Sequence, residues 1–581
     1  MKNPSKTGQE SWMPWLIPLP LVAWAAARLE NCWPPGATLD SLLQNLTSIL
    51  THPFSIEWTQ RTAAFVLASV LCYSLAVAVY VSERQNTRAG KEHGSAMWGK
   101  VKPLCRKYNS HNPMGGIRLT GNIHIGYDTH KHKRNLNVLA IGGSGAGKSR
   151  GFALPGLLDA NCSYLVTDPK SELLRATGNV LEGRGYDVRV LDLVELTQSD
   201  CYNPMAYLRD DKDTIRLVAN LIKSTTPKTA KSEDPFWEKS ETALLTALIL
   251  YLKHEAPAEE QNFATVAYLL ENAGASEESE DYRSPVDLVF EGLAEENPGH
   301  IAVKWYRVFQ QAAGKTAKSI IISAAVRLAT FLLEDVQWVT NRDEMDLGSL
   351  GDQKRAIFII VPDNGDTSMN HLVSLLYMQA IQELYYRADK VHRGPLPVPV
   401  RLLMDEFQNI TLPDDFLKIL ATCRSRNIHC NIIIQNLAAL KAMFKDNWET
   451  LTGNCDELLY LGGNEVGTHE YISKMLGKGT INTKTRGLTK GRSGSSSENF
   501  QQAGRELLTP DEVRMLPDDT ALLFIRGERP VMDKKFDLMK HPRIGLTPYA
   551  GAEGYHRATV HYEQPDLWAA FESLNDIDIL E

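Results

Sequence analysis

The sequence predicts an α/β fold in which a parallel sheet carries a phosphate loop, an all-helical insertion interrupts the sheet, and apolar membrane segments precede it. Three observations carry this reading. The run Gly142-Gly143-Ser144-Gly145-Ala146-Gly147-Lys148-Ser149 follows the apolar stretch Leu136 to Ile141 and opens the helix-like segment Arg150 to Leu158, so it has both the spacing and the strand-to-helix context of a phosphate loop. Strand-like and helix-like segments alternate after it, which implies βαβ units and parallel pairing. Upstream, Thr62 to Ser82 is uncharged and long enough to span the hydrocarbon core as a helix.

In chain order, the spans are expected at about 12–28 and 62–82. The first is interrupted by Pro14, Pro18 and Pro20, which weaken a continuous helix. Lys2 and Lys6 before it and Ala25-Ala26-Ala27 at its end also fit a cleaved signal segment. No Lys or Arg lies between Leu29 and Gln60, whereas Arg84, Arg88, Lys91, Lys100, Lys102, Arg106 and Lys107 follow the second span. That asymmetry places everything after Ser82 in the cytoplasm.

With 581 residues, 43% hydrophobic and 23% charged, the remainder has room for several globular domains. A net charge of −8 excludes a broadly basic surface, so any nucleic-acid contact must come from local stripes or an interior channel. The eight cysteines contain no CxxC pair, and Cys423 and Cys430 lack zinc spacing; they read as reduced thiols with no metal site.

After the phosphate loop come a strand over Ser163–Thr167, a helix over Lys170–Glu182 and a strand over Asp187–Leu193. From Met205 to Leu350 the period is helical, with Phe236–Lys253, Phe263–Asn272 and Ala317–Leu333 as the clearest helices. Strands resume at Ala356–Val361, Val398–Met404, His429–Ile434, Glu457–Leu461 and Thr520–Ile525. The expected boundaries are an anchor over 1–90, a nucleotide-binding domain over 91–204 and 351–540, an all-α domain over 205–350, and an acidic C-terminal tail over 541–581, whose last segment, Tyr562 to Glu581, either is solvated or docks a partner. Lys484 to Glu498, rich in Gly, Ser, Lys and Arg, is expected as a mobile basic loop.

The chemistry assigned to these motifs is that of nucleoside triphosphate use. Glycines in the loop let backbone N–H groups turn onto the β- and γ-phosphates at a helix N-terminus. Lys148 adds a point charge, and the Ser149 hydroxyl is placed to ligate Mg²⁺. Arg401-Leu-Leu-Met-Asp405-Glu406 is an apolar strand ending in two acids: Asp405 is the second Mg²⁺ candidate and Glu406 the candidate to polarise the attacking water. A further strand ends at Gln435, a candidate γ-phosphate sensor, or alternatively a cap of the following helix. Arg424, with Arg426 as runner-up, is a candidate for reaching a neighbouring subunit's site; both could instead be surface arginines at a helix C-terminus.

Taken together, the residues resemble the TraG/TraD-like type IV coupling proteins of conjugation and type IV secretion systems. The resemblance covers nearly the whole chain. It includes the two N-terminal spans, His93-Gly-Ser-Ala-Met-Trp98, the phosphate loop, Asp168-Pro-Lys-Ser-Glu-Leu173, Tyr202-Asn-Pro204, the helical insertion, Ala325-Val-Arg-Leu-Ala329, Asp405-Glu406, Gln435 and Gly504-Arg-Glu-Leu-Leu508. Ser171 stands where the family commonly has Gly, which bears on that loop's backbone geometry.

The resemblance implies a RecA-like ATPase using ATP and Mg²⁺. It implies a homo-hexamer, multi-pass in the lipid of the bacterial inner membrane, with the ATPase domain cytoplasmic. Such a machine would receive relaxase-bound single-stranded DNA from the relaxosome and feed it to the inner-membrane channel components of a type IV secretion system. The helical insertion would be the membrane-distal domain that meets DNA or relaxosome proteins, and Lys484, Arg486, Lys490 and Arg492 are candidates for phosphate contact. The alternatives are a coupling ATPase for protein effectors, an FtsK-like DNA translocase, or a docking receptor without hydrolysis. The intact Lys148, Asp405 and Glu406 count against the last.

Overall fold

The computed structural model describes residues 13–33, 36, 45, 51–52, 54–83, 91–226, 235–274, 282–312, 314–363, 365–410, 412–413, 415–489 and 495–557. They divide into two units, Met1–Glu92 and His93–Glu581.

In the first unit, Gln60–Ser82 is, among the described residues, the one helix long and apolar enough to cross a membrane, with a mean hydropathy of 2.3. The segment expected as a span over 12–28 is instead two helices, Met13–Leu16 and Leu19–Asn31. Proline explains the break: Pro18 lacks an N–H for the helical ladder and disfavours helix at Ile17. The 13 residues of the second piece cover about 20 Å, short of the hydrocarbon thickness. Both pieces lie antiparallel along Gln60–Glu83. Tyr73 donates to the Trp15 carbonyl at 3.1 Å and the Trp15 and Tyr80 rings are 5.3 Å apart, while at the other end Thr62 Oγ1 donates to Glu30 at 2.6 Å.

The second unit is built on a nine-stranded sheet. A small antiparallel pair, β1 (Gly116–Arg118) and β2 (His124–Gly126), precedes it. The sheet strands are β3 (Val138–Ile141), β4 (Ser163–Asp168), β5 (Asp187–Asp192), β6 (Arg355–Ile360), β7 (Val400–Met404), β8 (Ile428–Ile434) and β9 (Glu457–Tyr460). After the paired strands β10 (Lys478–Thr489) and β11 (Ser495–Glu506), β12 (Thr520–Ile525) and β13 (Val531–Lys534) complete it. The spatial order is β13-β12-β9-β3-β8-β7-β4-β6-β5. From β9 to β5 all neighbours are parallel; β12 and β13 close one edge antiparallel.

Both sheet faces are covered, which is why these strands read as continuous apolar runs. Alternate residues enter opposite cores: Leu139, Ile141 and Leu165 join one cluster, Val138, Ala140 and Val166 the other. The second cluster also holds Phe152 and Leu157 behind the phosphate loop and Leu173 and Leu181 from helix Glu172–Glu182. The first holds the helical block between β5 and β6, whose central helix Pro235–Glu255 buries Leu244, Leu245, Leu248 and Ile249. This block shares one continuous core with the sheet and lies in the same compact unit. Arg327 ties it together: its Nη1 donates to Ile222 O, Thr225 Oγ1 and Thr226 Oγ1 at 3.0, 3.0 and 2.9 Å, satisfying the end of helix Asp211–Thr225, and its Nε pairs with Glu241.

Two further expectations are corrected. The segment Lys484 to Glu498 is not a loop: the described parts belong to an antiparallel ribbon of β10 and β11 paired from Lys478↔Glu506 to Thr489↔Ser495. Its Gly, Ser and charged residues gave no apolar alternation to mark a strand, and pairing here is carried by the backbone. Lys490 and Arg492 lie outside the described residues. The ribbon's base is joined by the His93–Trp98 motif, with the Ala96 N–H on Lys478 O at 3.0 Å and the His93 N–H on Thr480 Oγ1 at 3.1 Å. Second, within the expected tail over 541–581, residues up to Arg557 pack along helix Glu172–Glu182 and on Asp200; 558–581 lie outside the described residues.

Arg401, in the middle of the sheet, is fully buried. Its Nε donates to Asn431 of β8, and its guanidinium lies 5.3 Å from the Phe152 ring centroid. Gly156, in the helix Leu154–Leu158, leaves room for it: a Cβ there would lie 2.2 Å from Arg401 Nη1. Gly156→Ala is therefore expected to destabilise the fold by about 1–3 kcal/mol, read as a lower unfolding midpoint with wild-type chain as reference.

Candidate active site

Parallel strands send their exits to one sheet edge, the position where open α/β sheets place their ligands. Here the exits of β3, β8, β7 and β4 surround a pocket of about 400 Å³. It is lined by Gly143, Ser144, Gly145, Gly147, Lys148, Ser149 and Arg150 after β3, by Gln435 after β8, by Asp405 and Glu406 after β7, and by Asp168, Lys170 and Glu172 at and after the end of β4. All the expected residues meet here except Gly142, Ala146 and Arg424.

Backbone hydrogen bonds fix the phosphate loop at its entry. The Gly142 N–H donates to Ile434 O at 3.0 Å and the Gly143 N–H to Gly462 O at 2.9 Å. Gly145 and Gly147 have φ of +77° and +83°, a region that glycine enters freely. Gly142 is a packing position, where a Cβ would stand 3.1 Å from Lys148 Cγ. Lys148 Nζ donates to Gly143 O at 3.2 Å; burial holds its pKa below the usual value, opposed by Asp405 and Glu406. The helix expected over Arg150–Leu158 begins as a π-turn, Ser149–Ala153.

Asp405 is buried at the mouth of β7. Burial pushes its carboxyl up to about 6, with Glu406 adding to the rise and the Glu406 N–H and Lys148 opposing it. Glu406 is left-handed, φ +47°, a strained conformation of the kind that persists at functional sites. Its carboxylate accepts from Gln435 Nε2 at 3.5 Å and from Asn409 Nδ2 at 3.2 Å. The helix after β8 is capped by Asn436, which accepts from the Ala439 N–H at 2.9 Å. The capping alternative thus belongs to the neighbour, and Gln435 faces Glu406.

Asp168 was not assigned a site role from sequence, although its motif stood out. Register pairs Thr167 with Met404, so Asp168, the last residue of β4, stands beside Asp405. It accepts from the Leu174 N–H at 2.8 Å. Burial pushes its carboxyl up to about 7, and Asp405 adds to the rise. Ser171 takes φ +54°, a conformation that glycine adopts without a Cβ penalty and other residues rarely do. The available signal was a strand-ending Asp followed by Pro-Lys.

Arg424 lies before β8 whereas Gln435 lies after it, so they are separated by about 23 Å of strand. Its Nη2 donates to Thr129 O at 2.9 Å. Arg426 forks onto Asp389 at 2.9 and 2.7 Å and stacks 4.1 Å from the Tyr385 ring centroid.

Residues 109–546 match the family model described as Type IV secretory system Conjugative DNA transfer. Protein VirD4 of Agrobacterium fabrum (strain C58 / ATCC 33970) is 23% identical over 89% of this chain and 78% of its own length. The conjugal transfer protein TraG of Escherichia coli is 24% identical over 78% of this chain and 75% of its own. Among solved structures, the plasmid coupling protein TrwB in complex with the ATP analogue ADPNP is similar in fold, with a TM-score of 0.54 and 17% identity over 76% of this chain and 93% of that one. TrwB in complex with ADP and Mg²⁺ gives a TM-score of 0.54 and 17% identity over 76% and 94%.

The buried Asp168 carboxyl makes stability depend on pH. Its folded pKa of about 7 lies above the ordinary 3.8, so the folded state holds the proton more tightly, and the stability this contributes is lost as pH rises through 7. Wild-type chain is expected to lose about 2–3 kcal/mol between pH 5 and 8 relative to Asp168→Asn, which keeps an acceptor for Leu174 but does not titrate. Parallel unfolding midpoints across that range would show that Asp168 does not carry this effect.

Proposed function

This chain belongs to the Type IV secretory system Conjugative DNA transfer family and is a type IV coupling protein; from that premise we propose that it is a membrane-anchored ATPase that takes up relaxase-bound single-stranded DNA and drives it into the secretion channel. The observation that carries the reading is the convergence of the phosphate loop, through Gly143, Ser144, Gly145, Gly147, Lys148 and Ser149, with Asp405, Glu406 and Gln435 on one pocket at one sheet edge.

The residues present fit ATP with Mg²⁺. The positive φ of Gly145 and Gly147 lets loop N–H groups face the phosphates, and Lys148 adds the cation. The Ser149 hydroxyl and the Asp405 carboxylate, both on the pocket wall, would hold Mg²⁺, which when bound neutralises charge on the β- and γ-phosphates. Glu406 orients and polarises the attacking water. Gln435 reports the γ-phosphate, and its contact with Glu406 supports that pairing of roles.

Arg424 cannot serve its own pocket from the far end of β8, and we place it at the next subunit's site in a homo-hexamer. Arg426, already chelated by Asp389, is the weaker candidate. Gln60–Ser82, long and apolar enough to span, supports an anchor in the inner membrane and its lipid, with the ATPase domain on the cytoplasmic side. The helical block over 205–350 would face DNA or relaxosome proteins away from the membrane. The β10–β11 ribbon, which carries Lys484 and Arg486, would contact DNA phosphates, with affinity falling as salt rises.

Lys148→Ala is expected to abolish nucleotide binding and transfer while membrane insertion is retained; transfer at the wild-type level would end the motor reading. Glu406→Gln should bind ATP but hydrolyse it about 10²–10⁴-fold more slowly. For Arg424, subunits carrying Arg424→Ala and subunits carrying Lys148→Ala should regain ATPase activity on mixing, because some interfaces then pair an intact loop with an intact arginine. An absence of recovery in demonstrably mixed rings counts against the shared site.

A further inference from the structure

The chain after β13 turns back over the nucleotide edge and fastens to it. Lys535, directly after β13, donates from Nζ to the Ala146 carbonyl inside the phosphate loop at 2.8 Å. Tyr549 donates its hydroxyl to Glu172 Oε1 at 2.5 Å, and the Arg150 guanidinium lies 5.1 Å from its ring centroid. Arg150 and Glu172 both line the pocket. Beyond, the Tyr555 ring fills the notch at Gly178, where a Cβ would come within 2.4 Å of it. Its hydroxyl donates to Glu182 at 2.8 Å and its N–H to Arg175 O at 2.9 Å. Arg557 pairs with Asp200.

The contact at Ala146 has a direct consequence for the cradle. In a trans peptide, the carbonyl of one residue and the N–H of the next point in opposite directions. An ammonium drawing on the Ala146 carbonyl therefore fixes the peptide plane and turns the Gly147 N–H the other way. Gly147, at φ +83°, has no side chain of its own to hold that plane. Lys535 is half-buried for this purpose; burial lowers its pKa while Asp518 and Asp519 oppose the fall. Tyr549 acts on the adjoining wall. Burial and the Glu172 carboxylate push its phenol up to about 12, so it remains a donor.

We propose that residues 535–557 are a strap that braces the nucleotide site from outside, with Lys535 and Tyr549 as positioning residues: Lys535 sets the Ala146–Gly147 peptide that cradles phosphate, and Tyr549 sets Arg150 and Glu172 at the pocket wall. This rests on the reading of the pocket as a nucleotide site. Neither residue lines the pocket itself, so their loss weakens binding and leaves the chemical step at saturation nearly unchanged.

The test uses the full chain in detergent, with ATP titrated against a fluorescent ATP analogue, steady-state ATPase rates, and unfolding midpoints without nucleotide. Lys535→Met is expected to raise Kd and KM for ATP about tenfold, the scale of one charge-assisted hydrogen bond, with kcat within about twofold of wild type. Lys535→Arg, which retains the charge and donors, should recover most of that loss. Tyr549→Phe, which keeps the ring and removes the hydroxyl, should shift KM in the same direction by about threefold. Lys148→Ala reports on the premise: wild-type ATP binding in that variant would overturn both the nucleotide reading and the strap. Loss of binding in Lys148→Ala, with wild-type Kd and KM in Lys535→Met and Tyr549→Phe, would overturn the strap alone. Equal losses in Lys535→Met and Lys535→Arg, tracking a fall in the nucleotide-free midpoint, would also overturn it, since that pattern marks general destabilisation.

Discussion

The parallel register of β3, β8, β7 and β4 is the constraint on which the rest of the site depends. Ile141 lies opposite Ile434, Met404 opposite Ile432, and Thr167 opposite Met404. Segments separated by hundreds of residues therefore leave the sheet at one edge without any loop having to reach across it. Register is in turn specified by burial. Because both faces carry apolar cores, a one-residue slip would exchange the residues of β7 between the two cores and rotate Asp405 away from the pocket. The apolar strand residues, remote from any chemistry, thus decide where the carboxylates and the phosphate loop meet.

Convergence concentrates charge. Asp168 and Asp405 are buried at adjacent strand ends, with Glu406 beside them and Lys148 facing them across the pocket. Burial raises both aspartates and lowers the lysine, so each ionised group leans on its neighbours of opposite sign. Glu406 at the pocket wall and Ser171, between the lining residues Lys170 and Glu172, are held in left-handed conformations. Such a site has its polar groups aimed before a ligand arrives, the condition under which electrostatic stabilisation in a partly dry pocket is largest.

Several motifs turn out to be structural joints. His93–Trp98 pairs with the base of the β10–β11 ribbon, and the end of Gly504–Leu508 closes the same corner, where the Leu507 N–H meets Gly477 O at 3.1 Å and Ser473 Oγ meets Leu508 O at 2.6 Å. Ala325–Ala329 contains Arg327, which ends one helix and pairs with another. Each joint links an edge of the nucleotide-binding sheet, or the helical block packed on it, to the remainder of the unit.

The phosphate loop and the Asp405-Glu406 strand were legible in the sequence because their chemistry needs particular residues within a few covalent bonds of one another. The alternation of strands and helices was legible because periodicity and burial act locally. Other parts of the fold carry weak or ambiguous local signals. The ribbon lacks an apolar period, Pro18 divides a segment whose composition alone favoured a span, and no local pattern between His541 and Arg557 marks that Tyr549, Tyr555 and Arg557 pack on partners near residues 150–200. Which residues can bind phosphate and metal is written in local stretches of the chain. That Asp168 stands beside Asp405, that Arg424 lies at the opposite end of β8 from the pocket, and that Lys535 reaches Ala146 emerges only in three dimensions. Those relations arise through space between residues far apart along the chain, and they follow from sheet register and packing, which no local pattern of residues encodes.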